Sequence, residues 1–211
     1  MDDFYYSIND KEYPVHIEHK PIKNIHYRYK DGFFYISCNR YTSKRSVIKG
    51  LDKFGEKLIS SDNKEKPYGD GYIYLYGNKI NISNSGELKF TNGEIIKYKD
   101  IDDLLKKLKK QYLRVVSSRV KHYSIIMKVP EYKVTVRNMS TRYGSNSKKT
   151  KSLHFATSLM HYSLEIIDSV IIHELAHIIV YDHSKKFYDV VYKYCPNYDI
   201  YRKKLIHGEY K

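Results

Sequence analysis

Cysteine is scarce in this sequence of 211 residues, which contains only Cys38 and Cys195. The two residues are far apart and neither forms a C-x-x-C pair, so neither has the spacing of a cysteine metal knuckle. We therefore expect two buried, reduced thiols, which fits a reducing compartment.

Long apolar runs are also missing. A membrane helix needs about 20 predominantly apolar residues, whereas the longest apolar stretch, around residues 170–181, is interrupted by histidine and glutamate. The N-terminal residues, Met-Asp-Asp-Phe-Tyr-Tyr, lack the basic region and the apolar core of a signal peptide. The sequence therefore predicts a cytoplasmic protein without a membrane segment.

Acidic residues are outnumbered, since 24 Asp and Glu stand against 38 Lys and Arg and give a formal net charge of +14. A field of this sign attracts polyanions or acidic substrates. The lysines are spread along the chain, however, and with 24 tyrosines and many Ile and Asn they are typical of an AT-rich genome. No nucleic-acid-binding motif is recognisable, so composition explains the charge better than nucleic-acid binding, which stays an alternative.

The sequence does contain a metal-binding pattern, His173-Glu174-Leu175-Ala176-His177, followed by His183. Residues four apart lie one turn apart on the same helix face, so His173 and His177 can bind one metal ion. Glu174 is rotated by about 100° from His173, which suits it to accept a proton from a metal-held water better than to be a ligand. In zinc hydrolases with this pattern the histidines bind the metal and the glutamate is the general base.

The same stretch would form a core helix without any metal, because apolar residues surround the motif. They are Val170, Ile171, Ile172, Leu175, Ile178, Ile179 and Val180. Burying two histidines and a glutamate together without a metal would cost several kcal/mol unless all three found partners. We therefore favour the metal site.

The residues after the helix select the third ligand. His183 follows His177 at the metzincin interval, but Val180 occupies the position of the metzincin glycine, and no later methionine supplies a Met-turn. A gluzincin needs a downstream helical glutamate, whereas Glu209, in the C-terminal tail, is the only glutamate after the motif. His183 is therefore the better third ligand, and Asp182 is expected to end the helix because Asp tolerates the left-handed conformation.

Alternating apolar and polar residues predict strands through most of the first 98 residues. A helix capped by Ser46 and a turn-rich loop at residues 60–71 interrupt them. A strand is expected at residues 13–19, and antiparallel hairpins are expected at 25–30 with 33–38 around Asp31-Gly32, at 72–76 with 79–82 around Gly77-Asn78, and at 87–90 with 94–98 around Thr91-Asn92-Gly93.

From residue 99 onward the sequence predicts helices around one hairpin. The expected elements are a helix from Asp100 to Pro130, strands at 132–139 and 152–158 around a turn at 142–150, the metal helix from Ser163 to Tyr181, a helix after Ser184 and a last one at about 198–207. The predicted fold class is α+β. A β-rich part of antiparallel hairpins with one helix (1–98) precedes a zincin-like metal-binding catalytic domain (99–211), unless both form one continuous fold.

The chain from about residue 100 to 205 resembles the YgjP-like zinc metallopeptidase domain family of bacteria and archaea. Arg142-Tyr143-Gly144-Ser145 is similar to the family's R-W-G-S turn, and VIIHELAHIIVYDHSKKFYDVV is similar to its pattern of HELaH, five residues, H-S and an aromatic residue. Tyr143 stands for the family's tryptophan and Asn146 for its usual cysteine. The N-terminal half resembles the family more faintly.

The residues and the resemblance imply the same function, a zinc-dependent peptidase that acts on peptides or proteins. Three neutral imidazoles leave one tetrahedral position on Zn²⁺ for a water, and Glu174 takes the proton of that water. Arg142, Tyr143 and His154 are candidates to stabilise the oxyanion, and we choose Arg142.

Two other functions stay open at this point. One is a metal-dependent nucleotide phosphohydrolase that uses the same site, and the other is a nucleic-acid-associated protein with a structural metal. Imidazole ligands also bind nickel, copper or iron, so zinc is not the sole metal allowed. The sequence does not define an oligomeric state.

Overall fold

A computed structural model describes residues 3–62, 65–90 and 92–211. The chain divides into two compact units, Met1–Glu65 and Lys66–Lys211. This division comes earlier than residue 98, where the sequence analysis drew the boundary. The predicted hairpin at residues 72–82 belongs to the second unit because Tyr76 N donates a hydrogen bond to Met160 O at 3.0 Å.

The first unit is a four-stranded sheet in the order β1-β2-β4-β3 with one helix packed on it. Strands β3 and β4 form the predicted antiparallel hairpin. Strands β2 and β4 run parallel, however, so the prediction of antiparallel hairpins alone is wrong. Alternation shows which side chains face the core, but it is the same for both strand directions. The elements are β1 (Phe4–Ile8), β2 (Lys11–His19), β3 (His26–Lys30), β4 (Phe33–Cys38) and α1 (Lys44–Asp62).

Helix α1 begins before the predicted cap. Ser43 Oγ accepts a hydrogen bond from Ser46 N at 3.3 Å, so Ser43 has the capping role that we assigned to Ser46. Val47 and Leu51, one turn apart, are buried against the inner face of the sheet, where Phe34 and Ile36 also lie. These apolar side chains form the core of the first unit.

The second unit contains most of the helical residues and all residues of the predicted site. Its elements are β5 (Tyr68–Gly69), β6 (Tyr72–Leu75), β7 (Asn78–Asn81), β8 (Gly86–Lys89), β9 (Ile95–Tyr98), α2 (Ile101–Met127), β10 (Lys133–Arg137), β11 (Gly144–Ser147), β12 (Ser152–Ala156), a short 3-10 helix (Thr157–His161), α3 (Leu164–Ile179), α4 (Lys185–Tyr194) and α5 (Tyr198–His207).

The two predicted hairpins of this unit are present as β6–β7 and β8–β9. The first turn lies one residue earlier than predicted, because Tyr76 and Gly77 have the positive φ angles of 49° and 80° that a two-residue hairpin turn needs. Residues 63 and 64 of the predicted loop and Thr91 of the second predicted turn lie outside the described residues.

The predicted hairpin before the metal helix has a different topology in the structure. Strand β10 pairs with β12 in parallel, and the segment predicted as a turn contains β11, which pairs with β12 antiparallel. The residues of β11 are Gly, Ser, Asn and Ser, which have low intrinsic strand preference. Tertiary packing against α3 therefore decides their conformation, and β11 becomes one of the two edge strands of this sheet.

Helix α3 is the central helix of the second unit and packs against α2, α4, α5 and β11. It ends at Val180, whose φ of −129° and ψ of 118° are extended. The predicted exit through a left-handed Asp182 is therefore wrong, since the β-branched Val180 already turns the chain away from the helix. Across the described ranges, no helix combines the length and the apolar character that crossing a membrane requires.

Candidate metal centre

Helix α3 and the turn after it bring the three predicted metal ligands together. His173 and His177 lie one turn apart on α3, and His183 approaches them from the segment between α3 and α4. One ring nitrogen of each histidine lies within 4.8 Å of those of the other two. Among the residues that the structure describes, this is the one group of at least three such side chains with the geometry of a metal site.

The spacing of the imidazoles fits a tetrahedral ion. His183 Nε2 and His173 Nε2 are 3.3 Å apart. Two Zn–N bonds of about 2.0–2.1 Å at a tetrahedral angle place their nitrogen atoms roughly 3.3 Å apart. The donor set and this distance are therefore compatible with a metal ion held by three histidines.

Two contacts orient the rings of the α3 histidines. His177 Nδ1 lies 3.0 Å from Tyr181 O, and His173 Nδ1 lies 2.8 Å from Tyr198 Oη. A hydrogen bond at Nδ1 fixes the ring and leaves Nε2 as the lone-pair donor, as is common for histidines that bind metals. Sequence analysis did not single out Tyr198, which is the first residue of α5 and is linked to His173 only by the tertiary fold.

Phe187 forms an apolar contact surface for the triad. Its side chain is fully buried, and its ring centroid lies 4.9 Å from that of His173, 4.5 Å from that of His177 and 4.9 Å from that of His183. This part of the core therefore supports all three imidazoles.

Burial keeps the α3 histidines neutral. Burial is the largest cause, and together with the nearby His177, His183 and Arg202 it lowers the pKa of His173 to about 3. Burial is also the main cause of the lowered pKa of His177. Neutral imidazole is the form that binds a metal, so His173 and His177 are kept in the form that a metal site requires.

Glu174 lies beside the triad and is almost completely buried, with 6% of its surface exposed. Burial raises the pKa of its carboxyl group to about 8, and the positive charge of Arg142 opposes this shift. When it is ionised, a carboxylate with a raised proton affinity is a stronger base than an exposed glutamate.

Strand β11 approaches α3 closely at two points, both at Glu174. A Cβ atom added to Gly144 would lie 2.6 Å from Glu174 Oε1 and 2.8 Å from its Cγ. Asn146 Nδ2 donates a hydrogen bond to Glu174 O at 2.7 Å. The glycine therefore leaves the space that the Glu174 side chain occupies, and the asparagine ties the strand to the helix.

The triad and Glu174 line one open cleft with a volume of about 560 Å³, together with Arg142 and residues of β11. Arg142 is exposed and forms no hydrogen bond or ion pair with another described residue. His154, the other basic candidate for the oxyanion, is instead bound to Thr135 Oγ1 through its Nδ1 at 2.6 Å. Arg142 is thus the one of these two that faces the cleft.

Comparison with known proteins identifies the family of this fold and site. A family model described as the YgjP-like metallopeptidase domain matches residues 41–207. The chain belongs to the YgjP-like family. No curated protein matches the chain.

Two solved structures of metallopeptidase zymogens are similar to part of this YgjP-like chain. Pyrococcus abyssi abylysin has 21% sequence identity and a TM-score of 0.42, with 44% of this chain and 93% of that chain covered. Methanocaldococcus jannaschii jannalysin has 22% identity and a TM-score of 0.41, with 44% of this chain and 95% of that chain covered.

The structure explains the two positions at which this YgjP-like chain departs from the pattern described above. Tyr143, in place of tryptophan, points away from the cleft, and its Oη lies 3.0 Å from Tyr162 Oη and donates to Leu205 O at 3.2 Å. Tyr143 is therefore a packing residue and not the oxyanion candidate that sequence analysis allowed. Asn146, in place of cysteine, supplies the hydrogen bond to α3.

Proposed function

We propose that this protein is a metal-dependent peptidase in which His173, His177 and His183 hold a zinc ion and Glu174 is the general base. The observation that carries the proposal is the convergence of three imidazoles beside a buried carboxyl group. Membership in the YgjP-like metallopeptidase domain family supports a peptide or protein substrate.

The donor set favours zinc. Three neutral nitrogen ligands with one open position are typical of catalytic zinc sites. When bound, the ion supplies Lewis acidity, which polarises a carbonyl oxygen and makes water a stronger acid. Since imidazoles also bind nickel, copper and iron, the metal content of the purified protein tests this choice.

Glu174 accepts a proton at its carboxylate from the attacking water and returns it to the leaving amine. Both transfers require a carboxyl group held in one orientation next to the cleft. The tight contact with Gly144 and the low exposure of Glu174 support this role, because they leave its side chain little freedom.

Arg142 binds the carbonyl oxygen of the substrate as negative charge develops on it. This assignment rests on a guanidinium that lines the same cleft as Glu174 and has no partner among the described residues. A positioned cation contributes most where charge appears in the transition state. Helix α3 with the β11–β12 hairpin then corresponds to a zincin-like catalytic core, within the second unit.

The experiment measures zinc content and peptide hydrolysis in the same preparations. Glu174→Gln is expected to retain zinc and lose hydrolysis by about 10²-fold or more, whereas His183→Ala loses most of the zinc. His122→Ala, which removes an exposed histidine on α2, is the matched control and keeps both. Equal zinc occupancy in wild type and His183→Ala would contradict the ligand assignment. Release of phosphate from nucleoside triphosphates without peptide cleavage would contradict the choice of substrate.

A further inference from the structure

A second cleft lies in the first unit, away from the residues of the metal centre in the sequence. It is formed by the segments that follow the parallel strands β2 and β4, residues 19–23 and 39–42. We call these residues the basic cleft. Two adjoining cavities of about 400 Å³ and 500 Å³ share Pro21, Asn39 and Tyr41 and make the cleft continuous.

The basic cleft has a built shape because backbone hydrogen bonds hold both of its walls. Lys20 N donates to Cys38 O at 2.9 Å and extends the β2–β4 pairing, and Ile22 N donates to Lys20 O at 2.8 Å. On the other wall Thr42 N donates to Asn39 O at 2.9 Å, and Tyr41 N donates to Asn39 Oδ1 at 3.1 Å. The side chains of the cleft are therefore carried by ordered turns.

Cations line the basic cleft and carboxylates do not. Lys20 is paired with Glu18 at 2.7 Å, whereas Lys23 and Arg40 have no carboxylate partner in the described ranges. The first unit has nearly equal numbers of basic and acidic residues, so the general basicity of the chain does not explain this local excess. The cleft is thus complementary to an anion.

An exposed aromatic ring stands in the same cleft. Tyr41 is 79% exposed, and the Arg40 guanidinium lies 4.8 Å from its ring centroid and donates to its Oη at 2.6 Å. A tyrosine exposed to this degree gains nothing from burial in the core. Its uncovered ring surface lies in a cavity that Lys23 also lines, next to the Arg40 guanidinium.

The outer face of the adjoining sheet continues this pattern with an aromatic row, His16, Phe33 and Tyr35. The His16 ring lies 5.4 Å from Phe33 and 5.5 Å from Tyr35, with interplanar angles of 19° and 28°. Arg28 on β3 is directly opposite Tyr35 in the sheet. The row lies on β2 and β4, the strands that lead into the basic cleft, and the Asp3 carboxylate lies 2.6 Å from His16 Nδ1 at one end of it.

We propose that the basic cleft and the aromatic row bind single-stranded nucleic acid, with phosphates at Lys23 and Arg40 and an unpaired base on Tyr41. Grooves that combine cations with exposed aromatic rings are the usual means of holding single strands. An acidic peptide would use the cations alone, and a duplex keeps its base faces inside its own stack. The combination with aromatic rings therefore favours a single strand over both.

The test measures the fluorescence anisotropy of a labelled single-stranded oligothymidine of about 12 nucleotides with the full chain. Lys23→Gln with Arg40→Gln is expected to weaken binding about tenfold at low salt and to reduce the slope of log K against log salt by roughly 1.4. Tyr41→Ser is expected to weaken binding about fivefold or more. Lys49→Gln with Lys57→Gln, which removes the same charge from exposed positions of α1, changes affinity by less than about threefold.

Three outcomes would overturn this proposal. The first is a loss of affinity in the α1 control that equals the loss in the Lys23 and Arg40 variant. The second is an affinity for a duplex of the same length that equals the affinity for the single strand. The third is competition by polyglutamate that equals competition by the unlabelled oligothymidine. Circular dichroism of each variant shows that the fold is retained. Because none of these residues belongs to the metal centre, the variants are expected to keep peptide hydrolysis, so failure here and failure of the proposed catalytic function are separate results.

Discussion

Replacement of Gly144 by alanine tests whether the position of Glu174 controls catalysis. The added Cβ would lie 2.6 Å from Oε1, 2.8 Å from Cγ and 2.9 Å from Cδ of Glu174. Ordinary contacts of a Cβ atom begin at 3.4 Å, so several atoms of the side chain must move, not only its end. Gly144 does not have a positive φ angle, and alanine therefore conflicts with Glu174 and not with the backbone.

The magnitude follows from the size of this overlap. The carboxyl group has to shift by about 1 Å, and a misplacement of that size can reduce the rate about 100-fold. Insertion of a methyl group into a packed site also costs roughly 1–3 kcal/mol of the free energy of unfolding. We expect Gly144→Ala to lower kcat for peptide hydrolysis about 100-fold while its zinc content stays at the wild-type level, because the three imidazoles are not displaced.

A double-mutant cycle with Glu174→Asp tests whether Gly144 positions the Glu174 carboxyl group. Aspartate is one methylene shorter and avoids the added methyl group, but it also loses reach toward the cleft. Since both substitutions displace the same carboxyl group, their effects on kcat should be far from additive. Additive losses, or a Gly144→Ala variant with wild-type kcat, would show that Gly144 does not position Glu174.

Two further predictions concern groups around the site and in the core of the second unit. Tyr198→Phe removes the hydroxyl group that contacts His173 Nδ1 and is expected to weaken zinc binding about tenfold in competition with a chelator. Tyr5→Phe, at a tyrosine of the first unit that is 70% exposed, should not change it. His161 is buried, its Nδ1 lies 2.7 Å from Tyr74 O, and burial lowers its pKa. Folding therefore favours the neutral form of His161. The contribution of His161 to the free energy of unfolding is complete above about pH 6.5 and is lost as the pH falls below that value. The urea midpoint should decline from pH 7 to pH 5, and His161→Gln should flatten this decline; an equally steep decline in the variant would exclude His161 as its source.

The part of the site that lies within one helix could be predicted from the sequence. The spacing of His173 and His177 on one helix face is a property of the α-helix itself, and the structure brings both side chains together with His183. The exit of the helix was assigned to the wrong residue, since Val180 adopts the extended conformation before Asp182 is reached. The third histidine still reaches the other two, because the segment after Val180 is not helical and carries His183 back to them.

The parts contributed by distant segments could not be predicted. Tyr198 contacts His173 only because α5 packs against α3, and no periodic pattern carries that information. Strand β11 has the composition of a turn, and only its pairing with β12 and its contact with α3 make it a strand. The same limit applies to the parallel pairing of β2 with β4, because alternation of side chains does not encode strand direction.

The metal centre therefore depends on segments that are brought together only by the folded second unit. Two of the proposed ligands lie on α3, the third precedes α4, and α5 contacts one imidazole through Tyr198. A ligand that binds only this assembled arrangement adds its binding free energy to the stability of the fold. The buried Phe187, in contact with all three imidazoles, connects the site directly to the hydrophobic core. Metal affinity and core packing are thus coupled here, and a substitution that loosens the packing of α4 or α5 on α3 must weaken the metal site without touching a ligand.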